Sequence, residues 1–223
     1  KVENYLLVPE DSYTVLNSVT IEIPDGINVE DLIQGIESVY DTNAVSFESH
    51  VLFDVVDELG ETLNDVELTL LSEAMLQLSH ATNFTIHEVH YLPRYNTGNY
   101  TFETFYFGSN AYVNRVIGYS FSMYNPNNSA YQFMVEADPD NADNLIISLY
   151  GLEFVDTIDV FIDVEEVPFI TQYTDNQLLV QPGGLGAVVT VRRVITNLDE
   201  DVLFDQDIIF EYYQPKSEIL EAN

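Results

Sequence analysis

The side chains able to do chemistry are abundant in one class and scarce in every other. Three of the four histidines, His80, His87 and His90, lie close together with Glu88. A helical metal pair needs two histidines four apart, which this spacing does not supply. On a strand His87 and His90 point to opposite faces, so ordinary strand histidines are expected. The run Asp138-Pro139-Asp140-Asn141-Ala142-Asp143 has the composition of a calcium loop. It lacks the glycine at the sixth position and the distal glutamate of an EF-hand, so a solvated acidic turn is expected. Asp138, Asp140 and Asp143 are still the carboxylates best grouped to hold Ca²⁺, Mg²⁺, K⁺ or Na⁺ loosely, with Asp199-Glu200-Asp201 a similar group. No motif requires a cofactor. Gly183-Gly184-Leu185-Gly186 leads into a β run rather than a helix, which makes it a tight turn and not a phosphate loop. There is no cysteine, hence no disulfide, thiolate metal site or cysteine nucleophile. No Ser–His–Asp set stands out, and 38 acidic residues allow so many carboxylate pairs that a glycosidase-type pair carries no signal. Asn83, Asn99 and Asn127 head N-glycosylation sequons, about as many as chance gives for this much asparagine.

The cations are few enough to be informative. Lys1 and Lys216 sit at the ends; Arg94, Arg115, Arg192 and Arg193 complete the set. Intramolecular pairing with carboxylates is the plain expectation for the arginines. Arg192 and Arg193 are also candidates to reach an acidic neighbouring subunit, and Arg193, on the apolar side of its strand, is the better of the two.

These residues must be carried mainly by strands. Residues 186–213 read as two β-rich runs flanking Asp199-Glu200-Asp201, the pattern of a long antiparallel hairpin. With the turn centred on Asp199–Glu200, Val189, Val191 and Ile195 share a face with Phe204, Ile208 and Phe210. Arg192 then falls opposite Asp207 and Arg193 opposite Gln206. Upstream, residues 1–12 read as an extended arm, and Tyr13–Ile23 as a strand closed by Pro24-Asp25-Gly26. Asn28 can cap the one convincing helix, whose Val29, Leu32, Ile33, Ile36 and Val39 recur at helical spacing. Ala44–Val56 reads as a strand. Val66, Leu68 and Leu70, then Ala74, Leu76 and Leu78, alternate as strands do, with a helix over 69–80 as the competing reading. Further strands are expected near 84–93, 99–107, 111–124, 130–137, 144–150, 153–164 and 177–180, separated by Asn-, Gly- and Pro-rich turns. The expected fold class is all-β: a jelly-roll β-sandwich or barrel with one short helix and room for an additional small β module, with a boundary near 93–98.

Charge sets the environment. The chain of 223 residues carries 38 Asp+Glu against 6 Lys+Arg, a formal net charge of −32. The acids divide evenly, 19 in residues 1–112 and 19 in 113–223, so this is no acidic tail on an ordinary domain. A sphere of radius about 22 Å with this charge stores roughly 30 kcal/mol at 0.1 M salt and about 10 at 1 M. Net stability is typically about 5–15 kcal/mol, so screening or bound cations are needed. A halophilic protein is expected, with an acidic calcium-loaded surface protein as the alternative. A hydrophobic content of 46% excludes a disordered polyanion. Nucleic acid and anionic headgroups are poor direct partners for such a surface. No apolar stretch approaches a membrane span, and the first nine residues lack the form of a signal peptide.

An acidic β chain of this size, without Cys or Trp and ending in a long hairpin, resembles the major capsid proteins of haloarchaeal icosahedral viruses with an internal membrane. It is most similar to the larger, tower-bearing member of their single upright jelly-roll pair. The resemblance implies a virion shell component in a high-salt extracellular setting. Its partners would be other copies of the capsid protein, a second capsid protein in a hetero-oligomeric capsomer and a nearby viral membrane, with no direct contact to nucleic acid and no enzymatic activity. Two other classes fit the same composition: a receptor-binding spike or cell-surface adhesin, and a secreted halophilic β-sandwich glycoside hydrolase.

Overall fold

The computed structural model describes residues 13–24, 27–91, 108–176 and 180–222. The described residues are mostly β, 45% strand and 17% helix, arranged in several antiparallel sheets with few helices. The all-β class expected from the sequence therefore holds. The expected arm over 1–12, the strand over 99–107, Arg94 and the boundary near 93–98 lie outside the described residues.

One layer of the body is a four-stranded antiparallel sheet in the order β1 (Thr14–Glu22), β7 (Asn144–Gly151), β6 (Tyr131–Ala137), β2 (Ala44–Phe47). Helices α1 (Val29–Tyr40) and α3 (Asp65–Ser79) pack against it. The expected cap holds: Asn28 Oδ1 accepts from the Glu30 and Asp31 amides, and Leu32 and Ile36 are buried. The first helix is not the only one, and over 69–80 the competing helical reading holds in place of the strand reading. Residues 65–79 are helical although their apolar positions alternate, because Asn64 and Glu67 form a capping box at the start. Leu68, Leu70, Leu71, Ala74, Met75, Leu76 and Leu78 are then buried around most of the circumference. A helix apolar on every side is a core helix, and it leaves no 3.6-residue stripe to read. The expected strand over 44–56 breaks at His50, which has φ 56°, into β2 and β3 (Leu52–Asp54). Asp54 then caps the short α2 (Val55–Leu59). β3 pairs with β5 (Ser122–Tyr124), and β5 with β4 (Thr85–Glu88). Ring contacts tie sheet to loops at the centre of the core, with Phe84 4.9 Å from Phe47 and 5.0 Å from Tyr131 between centroids.

A separate three-stranded sheet runs in the order β11 (Val202–Tyr213), β10 (Gly186–Thr196), β8 (Thr157–Val167). The hairpin register matches expectation near the turn, where Arg192 pairs with Asp207, Arg193 with Gln206 and Ile195 with Phe204. A bulge between Val191 and Arg192 then shifts it by one, so that Val191 pairs with Ile209 and Val189 with Glu211. A one-residue slip exchanges the two faces of a strand. Ile209, Glu211 and Tyr213 accordingly point inward, and Phe210 points outward instead of joining Val189 and Val191. A short parallel pair, β9 (Thr171–Thr174) and β12 (Glu218–Glu221), completes the described strands. These pairings, divided among four sheets with helices on one of them, do not by themselves trace a jelly roll.

Candidate functional site

The three-stranded sheet is the part of the molecule whose surface lacks an internal explanation, and two buried polar anchors hold it to the body. The first is Arg193. Only 4% exposed, it is buried without a carboxylate partner among the described residues, in a chain rich in carboxylates. Its Nη1 donates to the carbonyls of Ser79 (3.2 Å) and Thr82 (2.6 Å), and its Nη2 to that of Phe84 (2.8 Å). These carbonyls lie at and just beyond the end of α3, where the helix presents its negative pole. The guanidinium also sits 5.3 Å from the centre of the Phe204 ring. Burial pulls its pKa down to about 10, which keeps it charged at neutral pH. The neighbouring His80 is nearly buried as well. Desolvation, partly opposed by a backbone hydrogen bond to Gly108 and reinforced by the charge of Arg193, lowers its pKa to about 4. His80 is therefore neutral, and its Nε2 has no hydrogen-bond partner.

The second anchor is Glu211, 1% exposed. Its two oxygens accept from the backbone amides of Gly108 (3.1 Å) and Asn110 (3.0 Å), and the Tyr213 hydroxyl donates to the same carboxylate. Burial and then the Glu211 charge push the Tyr91 phenol up to about 12. Gly108, bonded to this carboxylate, and Tyr91, which feels its charge, are the described residues on either side of segment 92–107. Sequence reasoning passed over Glu211. The available signal was a lone acid inside the run Ile208-Ile209-Phe210-Glu211-Tyr212-Tyr213.

Beyond these anchors the outer face of the sheet is uncovered among the described residues. Phe161, Phe210 and Tyr212 are 56%, 62% and 55% exposed on the face turned away from Arg193. They share it with Val188, Thr190, Arg192 and Val194 of β10 and Asp159, Asp163 and Glu165 of β8. Arg192 makes a two-pronged bridge to Asp205, with Nε at 2.6 Å and Nη2 at 2.7 Å. The partner is the diagonal neighbour and not Asp207 directly opposite. At the root of the sheet a cleft of about 300 Å³ is lined by Leu16, Leu78, Leu149, Phe154 and Ile158 with Glu153 and Asp156.

The other sequence candidates lie apart from this surface. Asp138 is spent within its own turn, accepting from the Asp140 amide (2.9 Å) and the Asn144 side chain (3.3 Å). Asn141, not a carboxylate, accepts from the Asp143 amide. Among the described residues no three His, Asp or Glu side chains converge as a metal would require. In the hairpin turn Asn197 Oδ1 accepts from the amides of Asp199 and Asp201, with Glu200 at φ 65°. The three histidines separate: His80 is in the core, His87 lies 3.4 Å from Ser122 Oγ, and His90 bonds Glu88 at 2.7 Å while stacking on Tyr119. Asp54 bonds Ser120 and caps α2, so it does not complete a relay with His87 and Ser122. The sequon residues Asn83 and Asn127 hold each other through two reciprocal amide bonds of 2.8 Å. Arg115 bridges to Asp65. Among the described residues no helix is long and apolar enough to cross a membrane. No protein family, curated protein or solved structure matches this chain.

Proposed function

We propose that this chain is a structural protein that assembles with neighbours through its three-stranded sheet, as a shell component of a virion in a high-salt environment. The observation that carries the reading is the uncovered face of β8–β10–β11. Large apolar and aromatic residues held rigidly outward, rimmed by charge, mark surfaces that meet other proteins. The sheet's outer edges are unpaired among the described residues, and an open edge is a place where another chain can add. Arg193 and Glu211 fix the sheet to the core, so it presents this surface as a stiff plate. The acidic skin fits a setting in which salt screens repulsion between packed subunits and cations link carboxylates across seams. The virion assignment rests on the resemblance in charge, size and β content to capsid proteins of haloarchaeal internal-membrane viruses. It implies copies of this chain and a second capsid protein as neighbours.

The test is Phe161→Ser/Phe210→Ser/Tyr212→Ser in one chain, followed by sedimentation velocity and electron microscopy in molar salt. The expected result is a folded protein with an unchanged unfolding midpoint that no longer forms the assemblies of the parent. Assemblies of normal size and yield, or a parent chain that stays monomeric alone and with its virion partners, would refute the proposal.

A further inference from the structure

We infer that the edge of β8 left unpaired among the described residues takes up an extended segment of a different, basic polypeptide, which adds a fourth strand to the β11–β10–β8 sheet. This rests on the assembly reading and names the chemistry of one partner. β8 pairs with β10 over eleven consecutive residues, from Thr157↔Thr196 to Val167↔Gly186, without a bulge. Its own outer edge is therefore an even row of backbone donors and acceptors. β11, at the opposite edge, is interrupted by two register shifts, a device that disfavours strand addition.

The two faces of β8 specify what would fit. Ile158, Val160, Ile162 and Val164 lie on the inner face with Arg193, yet Ile162 is 53% exposed and Val164 39%. Asp159, Asp163 and Glu165 lie on the outer face beside Phe161, and none makes an ion pair among the described residues. Over residues 158–165 an incoming strand thus meets an apolar inner row and an outer row that is acidic except at Phe161, with Glu166 adding an acid at the end of the inner row. Alternating apolar and basic residues would cover the first and pair with the second, while backbone hydrogen bonds supply the common affinity.

A second copy of this chain is a poor occupant. Two-fold pairing of β8 with itself centred on Ile162 sets Asp159 against Glu165, and pairing centred on Asp163 sets that carboxylate against its own copy. Like charges directly opposite destabilise a sheet. The chain has 6 cations in all, and Arg115, Arg192 and Arg193 are already engaged internally.

The experiment uses the full chain with a synthetic peptide of alternating Lys and Val, its Glu–Val counterpart, and a peptide with the same lysines in one block. Binding is read by titration, and the site by amide hydrogen exchange. The Lys–Val peptide is expected to bind saturably and to protect the outward amides of β8, while the Glu–Val peptide does not bind and the block peptide gives no such protection. Asp159→Asn/Asp163→Asn/Glu165→Gln should weaken binding roughly tenfold, the worth of three cross-strand charge pairs. Asp138→Asn/Asp140→Asn/Asp143→Asn removes equal charge elsewhere and should leave affinity unchanged. Equal weakening in both variants, which is general polyanion attraction, would overturn the inference. So would β8 amides already protected without peptide, by a second copy or by the chain's own segments. If the peptide fails while the Phe161/Phe210/Tyr212 substitutions still abolish assembly, the basic-strand partner falls and the assembly reading stands.

Discussion

Replacing Arg193 by methionine keeps most of the apolar stem and removes the charge and all donors. Three carbonyls lose a partner, but unequally. Ser79 O already accepts from the Thr82 amide (3.1 Å) and the Thr82 hydroxyl (2.7 Å), so it stays satisfied. The Thr82 and Phe84 carbonyls lose bonds of 2.6 and 2.8 Å to a charged group. Leaving a buried acceptor unmet costs about 1–3 kcal/mol, hence about 2–6 kcal/mol for the two. Relief from burying an uncompensated guanidinium returns part of this. A net loss of about 3 kcal/mol is expected, a large share of a stability of about 5–15 kcal/mol. Arg193→Lys keeps the charge but not the planar fork, and should fall between parent and Met. Equilibrium denaturant unfolding in molar salt measures both, with hydrogen exchange at the end of α3 as a local probe. A Met variant within about 0.5 kcal/mol of the parent would show that the sheet is held by apolar packing alone, against the reasoning here.

The pH dependence of stability should carry the signature of His80. Its folded pKa of about 4 lies below the unfolded value of 6.5, so the unfolded chain binds the extra proton in between. The stability of the neutral form is complete above about pH 6.5 and is lost as pH falls toward 4, by about 3 kcal/mol. His80→Gln should flatten that part of the curve relative to parent, and parallel curves would contradict the burial argument. Gly186→Ala should cost about 2 kcal/mol. A methyl there meets the Tyr213 carbonyl oxygen and, at 2.6 Å, the Pro215 nitrogen, both backbone atoms with little room to yield. A variant as stable as parent by thermal unfolding would remove that constraint. Lowering salt at constant pH should lower the unfolding midpoint steadily, as expected for a net charge of −32, and a salt-independent midpoint would undo the halophilic reading.

What the sequence disclosed followed the strength of local signals. The first helix announced itself through Asn28 and a clear apolar stripe, and the hairpin through two β runs around an acidic turn. The helix over 65–79 was ambiguous between strand and helix because its residues are buried on nearly every side, so periodicity did not decide and only Asn64 with Glu67 marked its start. The orientation of Phe210 was hidden for another reason. It turns on a bulge between Val191 and Arg192, and nothing in those residues alone records it. Arg193 was legible as an unusual cation on an apolar face. That its partners would be carbonyls after a helix more than a hundred positions away was not, because such a pairing exists only in the folded chain.

Glu211 works as a clasp. It grips the backbone at 108–110, and its charge is felt by Tyr91. One carboxylate thus serves three donors from two distant stretches of chain, and the end of β11 depends on all of them together.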